Sequence, residues 1–170
     1  MYATAVFRLR LLTASLLCLA CATPAHATGI GEDSKLPLPR FVSLRSQEVN
    51  VRTGPGTRYP IRVVFKKQAY PVKITDEFDY WRKITDDADN EGWVHKNMLT
   101  AKRTAVVTGA EQVARNDPEP NSAPLFRVEP GVIGTLKACG VQMCRLEIEG
   151  LKGWVPKQSL WGVLPGEVFE

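Results

Sequence analysis

Residues 92–96 read Gly-Trp-Val-His-Lys and residues 153–157 read Gly-Trp-Val-Pro-Lys, with Leu99 and Leu160 three places beyond each. Working outward, Ile84 returns as Leu146, Val72-Lys73 as Leu136-Lys137, Pro60-Ile61 as Pro124-Leu125, and Val51-Arg52 with Pro55 as Ala114-Arg115 with Pro118. On the same alignment Trp81 corresponds to Met143, while Thr75 and Arg82 occupy the places of Cys139 and Cys144. The offsets stay between 61 and 64, so the copies differ only in loop length. A period that long is a whole small domain and not a solenoid unit.

Inside each copy no 3.6-residue periodicity is found. Short segments rich in Val, Ile, Phe, Tyr and Trp lie between turn signals: 41–45, 48–52, 61–66, 72–75, 80–84 and 92–95. That spacing predicts an all-β sandwich or barrel. A domain of about 60 residues buries only about 60% of its unfolded surface. An indole can add on the order of 200 Å². Trp93 and Trp154 are therefore expected in the core, with Val51, Val63, Ile84 and Leu146. In Gly54-Pro55-Gly56 proline fixes one φ, and the glycines are expected to supply positive φ for a sharp turn. Gly92 and Gly153 are expected to let a strand bend or the backbone approach closely.

Residues 50–60, Asn-Val-Arg-Thr-Gly-Pro-Gly-Thr-Arg-Tyr-Pro, together with the Gly-Trp-Val closing, resemble the bacterial SH3 family. The second copy keeps Gly153-Trp154-Val155 but opens with Val113-Ala-Arg-Asn-Asp-Pro118, without Gly-Pro-Gly. Leu160-Trp161-Gly162-Val163 looks like the end of a tandem, exported version of the family. The resemblance covers roughly 40–165 and implies one small, partly open β-barrel per repeat. It also implies a targeting or binding module of the kind that accompanies cell-wall enzymes. The expected organisation is a signal peptide (1–27), a flexible linker (28–39), a first SH3-like domain (40–103), a second, degenerate one (104–165) and a tail (166–170).

The compartment follows from the start of the chain. Arg8 and Arg10 precede a mainly apolar run from Leu11 to Ala22, and Ala25-His26-Ala27 then supplies a small-x-small cleavage pattern. These are the three parts of a secretory signal peptide. Twelve residues are too few to cross a bilayer core, which needs about 20. Cleavage after Ala27 makes the product periplasmic or secreted. Lipidation at Cys21 is the alternative, although the leucine usually found three places before such a cysteine is missing. Without residues 1–27 the chain holds 20 Lys+Arg against 18 Asp+Glu, or +2. That is too weak a footprint for nucleic acid. Cys139 and Cys144 are the remaining cysteines. Outside the cytoplasm, flanking a four-residue turn on paired strands, they are expected to be bridged as a local staple.

Catalytic chemistry is scarce. After processing His95 is the lone histidine, and one histidine with two bridged cysteines supplies neither a zinc site nor a Cys–His nucleophile. The run Asp86-Asp87-Ala88-Asp89-Asn90-Glu91 lacks the glycine and distal glutamate of a calcium loop and reads as a solvated hairpin turn. No enzyme, cofactor or metal is expected. Charge is uneven between the copies: residues 40–103 hold 13 Lys+Arg against 8 Asp+Glu, and residues 104–170 hold 6 against 8. In the first copy Arg52, Arg58 and Arg62 surround the Gly-Pro-Gly loop beside Tyr59, and Tyr80 enters Trp81. Those five residues, Arg52, Arg58, Tyr59, Arg62 and Tyr80, are the candidate ligand contacts. The expected ligand is cell-wall peptide or glycan. The alternative is an envelope protein offering an extended or proline-containing segment.

Overall fold

The computed structural model describes residues 29–170. The signal peptide, its cleavage after Ala27 and the alternative at Cys21 lie outside the described residues. No helix among them is long and apolar enough to cross a membrane.

Two copies of one topology follow each other. The first runs β3 (Arg40–Leu44), β4 (Val49–Arg52), β5 (Ile61–Phe65), β6 (Pro71–Phe78), β7 (Trp81–Thr85), β8 (Glu91–His95), a 3₁₀ turn (Lys96–Met98) and β9 (Leu99–Thr100). The second runs β10 (Thr104–Val107), β11 (Gln112–Arg115), β12 (Pro124–Val128), β13 (Ile133–Cys139), β14 (Met143–Ile148), β15 (Leu151–Pro156), a 3₁₀ turn (Lys157–Ser159) and β16 (Leu160–Trp161). Their sheets have matching orders, β5-β4-β8-β7-β6-β3-β9 and β12-β11-β15-β14-β13-β10-β16. The all-β fold and its duplication are as the sequence predicts.

Each barrel closes on its own apolar cluster. Leu44, Val49, Val51, Val72, Ile74, Ile84, Val94 and Leu99 form the first. Ala114, Leu136, Leu146, Val155 and Leu160 supply equivalent positions in the second. The period-2 alternation of each strand sends these side chains inward.

That alternation corrects the expected place of the tryptophans. Gly92 and Val94 point inward, so Trp93 between them is half-buried on the outer face of β8. Gly153, Val155 and Trp154 repeat the arrangement on β15. The inward position has no room for bulk: a Cβ on Gly92 would lie 2.4 Å from Val51 Cγ1 and 2.9 Å from the Arg52 carbonyl oxygen. The glycine admits β4, and the indole takes the other side. Val63 is also exposed, because β5 ends its sheet.

Two further expectations change. Gly54 and Gly56 do not adopt positive φ. Gly54 is required by close approach, since a Cβ there would sit 2.5 Å from the Tyr59 ring. Residues 29–39 are not a free linker: β1 (Gly29–Ile30) pairs with β2 (Pro37–Leu38), and the turn between them docks on the first barrel. The physical reason is buried charge. Glu77, with a fully buried side chain, accepts from Ser34 N at 2.8 Å, Ser34 Oγ at 2.7 Å and Arg40 Nη2 at 2.6 Å, and Arg82 Nε lies 3.3 Å away. Asp33 completes the cluster on Arg82.

The barrels touch through side chains of the β3–β6 and β10–β16 regions. Trp161 meets Phe41 edge to face at 5.0 Å and donates its indole N–H to the Pro71 carbonyl at 3.0 Å. Thr104 Oγ1 hydrogen-bonds Ser43 Oγ and the Ala69 carbonyl, both at 2.6 Å, and Lys67 Nζ donates to the Gly131 carbonyl at 2.8 Å.

Candidate ligand-binding face

The opening loop of each barrel is closed by equivalent bonds. Thr53 N donates to the Pro60 carbonyl and Asn116 N to the Ala123 carbonyl, both at 3.0 Å. Arg52 Nη1 donates to the Tyr59 carbonyl at 2.8 Å, and Arg115 Nη1 to the Ser122 carbonyl at 2.6 Å. The loss of Gly-Pro-Gly therefore leaves the loop framework of the second copy intact. It also gives Arg52 a structural task, pinning the loop from the half-buried side.

Beyond that pin the first copy carries exposed chemistry. The Arg58 guanidinium lies over the Tyr59 ring, 5.1 Å from its centroid, and reaches the Tyr59 hydroxyl at 3.3 Å. Contact with that hydroxyl raises the Arg58 pKa further above the physiological range, where a guanidinium is cationic in any case. The loop thus presents a fixed positive charge on an aromatic plate. Arg62 is exposed on β5 and, after the dominant effect of Lys83, helps hold the Glu91 carboxyl below its usual range.

Tyr80 belongs to a second group. Asp79, at φ 51°, turns the β6–β7 hairpin and leaves Tyr80 53% exposed. Its ring stacks on His95 at 6.1 Å with a 16° interplanar angle, and Lys96 Nζ stands 4.5 Å from its centroid. Trp81 meets His95 edge on at 5.6 Å. Backbone register joins the two groups. Arg52 pairs with Trp93, Trp93 with Lys83, and Trp81 with His95, so these side chains share the outer face of β4, β8 and β7. The five sequence candidates are strung along this face and its rim. Sequence reasoning missed Trp93, Trp81, Lys83 and Lys96 as surface groups. The signal that could have found them is the small-large-small pattern Gly92-Trp93-Val94, which places the small residues inward.

The second copy differs at this hairpin. Gln142, Met143 and Pro156 stand where Tyr80, Trp81 and His95 stand in the first. An open groove of about 830 Å³ results, lined by Pro120, Met143, Pro156, Leu160, Leu164 and Pro165 among others. The buried pair Glu77–Arg82 is replaced by the disulfide Cys139–Cys144, because both pairs occupy the same register after a bulge in β6 and β13. The expected bridge is present, but its counterpart in the first copy is Glu77 and not Thr75. Asp86 accepts from the backbone N–H groups of Ala88 and Asn90 and from Asn90 Nδ2; the acidic run forms the expected turn, exposed from Asp87 to Glu91 but with Asp86 itself buried.

A search of curated proteins finds no match. Among solved structures, the NlpC2 and NlpC1 proteins of Trichomonas vaginalis are similar at 13% identity, with TM-scores of 0.33 and 0.34. The alignments cover 72% and 77% of this chain and 48% of each of those chains, so this chain spans about half their length. A family model described as bacterial SH3 domain matches residues 45–100 and 108–162, one stretch in each barrel and together more than half of the sequence. The chain belongs to the bacterial SH3 domain family, in two tandem copies.

Proposed function

We propose that this protein is an exported, non-catalytic binding module of the cell envelope, and that its first barrel holds cell-wall peptide or glycan on the outer face of β4, β8 and β7. The observation that carries the reading is the outer-face row of exposed Tyr80 with half-buried Trp81, His95 and Trp93, bordered by Arg52, Arg58, Lys83 and Lys96. Aromatic plates offer area at low rotamer cost, and Arg52 and Arg58, which have no carboxylate partner among the described residues, favour an anionic partner, whereas Lys83 pairs with Glu91 at 2.8 Å and Lys96 lies 3.8 Å from Asp33. Such a surface binds and holds; it has no nucleophile with a base beside it. The excess of 13 Lys+Arg over 8 Asp+Glu in residues 40–103 supports the same assignment.

Co-sedimentation with purified peptidoglycan tests the proposal. The processed protein should pellet with the wall, and the Arg58→Ala, Tyr59→Ala double variant should pellet several-fold less while still melting as a folded protein, a few degrees lower because the Tyr59 ring packs on Gly54. Retention of full binding by that variant and by Tyr80→Ala would refute the placement. The groove of the second barrel favours one other reading, an adaptor that seats an extended, proline-containing segment. An adaptor would stay in the supernatant.

A further inference from the structure

We infer that each barrel carries the same ligand plate, one tryptophan between two cations, and that the chain grips a carboxylated polysaccharide at two points. The inference rests on the envelope-binding reading and extends it to the second copy. In the first barrel the row is Arg52, Trp93, Lys83 on β4, β8 and β7. In the second it is Arg115, Trp154, Arg145 on β11, β15 and β14. The rows occupy equivalent strands and equivalent registers. Little else on that surface is shared, since Trp81 and His95 give way to Met143 and Pro156.

Several observations give the rows a ligand-binding character. Packing does not demand an outward indole, because the core beneath is complete with Val51, Val94 and Ile84 in one barrel and Ala114, Val155 and Leu146 in the other. Among the described residues neither indole N–H has a partner, and neither is sealed from solvent. No aromatic ring or cation stacks on Trp93 or Trp154, whereas Trp161 has both. Three of the four flanking cations are available too, the exception being Lys83, which pairs with Glu91 at 2.8 Å. Arg52 and Arg115 each use Nη1 on a loop carbonyl and have no carboxylate partner among the described residues. Arg145 is exposed, and its neighbour Glu147 pairs with Lys137 and Lys152 instead.

The chemistry selects the ligand class. The negative face of an indole attracts the polarised C–H face of a pyranose ring, and a guanidinium takes a carboxylate with two parallel hydrogen bonds. A peptide strand is a poor occupant, because the rows lie on inner strands whose backbone groups are already paired across the sheet. Nucleic acid would need a denser positive face than a net +2 provides. Two rows in one chain make the second contact intramolecular on a long polymer, which raises avidity by about 10²–10⁴.

Titration of the processed protein with polygalacturonate, trigalacturonate and neutral dextran tests this. The polymer should bind roughly 10²-fold or more tighter than the trisaccharide, and dextran should not bind. Trp93→Ala and Trp154→Ala should each reduce polymer binding to the trisaccharide level. Arg145→Glu, at an exposed and unpaired position, should do the same with an unchanged melting curve, so the test survives if a tryptophan variant unfolds. Wild-type polymer affinity in both Trp154→Ala and Arg145→Glu overturns the second grip, and equal binding of dextran overturns the carboxylate requirement. Peptidoglycan binding that persists in Trp154→Ala while failing in the Arg58, Tyr59 variant removes this inference and leaves the first-barrel reading standing. Failure of the wild type to pellet with peptidoglycan while binding polygalacturonate does the reverse.

Discussion

Glu77 shows how one carboxylate can organise a terminus. Burial pushes its pKa up, but the Ser34 hydroxyl, the Ser34 N–H, Arg40 and the Arg82 charge together outweigh that and hold it at about 2. A carboxyl depressed in the folded state stabilises fully above its unfolded pKa, and the benefit disappears as pH falls through the folded value. The window here runs from about 4.5 down to about 2. Chemical denaturation across it should show a loss of at most ~3 kcal/mol from this group. In Glu77→Gln that acid limb should be much shallower. At neutral pH the same variant should be less stable by about 3 kcal/mol, since half-buried Arg40 loses its counter-charge and buried Arg82 keeps only Asp33. Gly92→Ala makes a separate test of the close crossing with β4. Its Cβ meets Val51 and a backbone carbonyl that cannot yield cheaply, so thermal unfolding should report a loss of about 1–3 kcal/mol.

At the scale of elements, the Cys139–Cys144 pair staples the β13–β14 hairpin and also receives the end of the chain. Cys139 N donates to the Phe169 carbonyl at 2.8 Å and Phe169 N to the Cys139 carbonyl at 3.0 Å. Replacing both cysteines with serine should cost about 2 kcal/mol, as expected for a short closed loop. Hydrogen exchange at the Cys139 and Phe169 amides should accelerate beyond that of β15. Free thiols in native exported protein would contradict the staple. The strand segments and the duplication were readable because turn residues and apolar alternation survive in both copies. Register was not. The bulge between Ile74 and Asp76 shifts the pairing, so an alignment by residue type matched Cys139 to Thr75 when the chain pairs Glu77 with Arg82 there. The face taken by Trp93 was hidden for a related reason. Size and hydrophobicity point an indole inward, while the 2.4 Å approach of Val51 to a Cβ at Gly92 is a tertiary fact. The binding candidates were legible as charge beside aromatics, but their grouping depends on which strands lie side by side.

For the whole molecule, Trp161 is the largest side chain joining the barrels. Trp161→Ala removes the Phe41 contact, the Pro71 hydrogen bond and the plate under Lys73. Calorimetry should show a loss of about 3–5 kcal/mol and a single transition broadening into two. At the other end of the chain, intact mass of exported material should correspond to a start at Thr28. A start at a diacylated Cys21 would instead establish a membrane anchor.

The junction between the barrels has one more consequence. Ala69 and Gly131 occupy the same turn in the two copies, both at positive φ, and each offers its carbonyl to the opposite barrel. The groups that reach those carbonyls are not equivalent, however, being Thr104 on one side and Lys67 on the other. Trp161 seats on Phe41 and Pro71, and its counterpart Thr100 makes no matching contact among the described residues. The junction therefore joins two different faces and has a direction, from the first barrel to the second, which makes it heterologous.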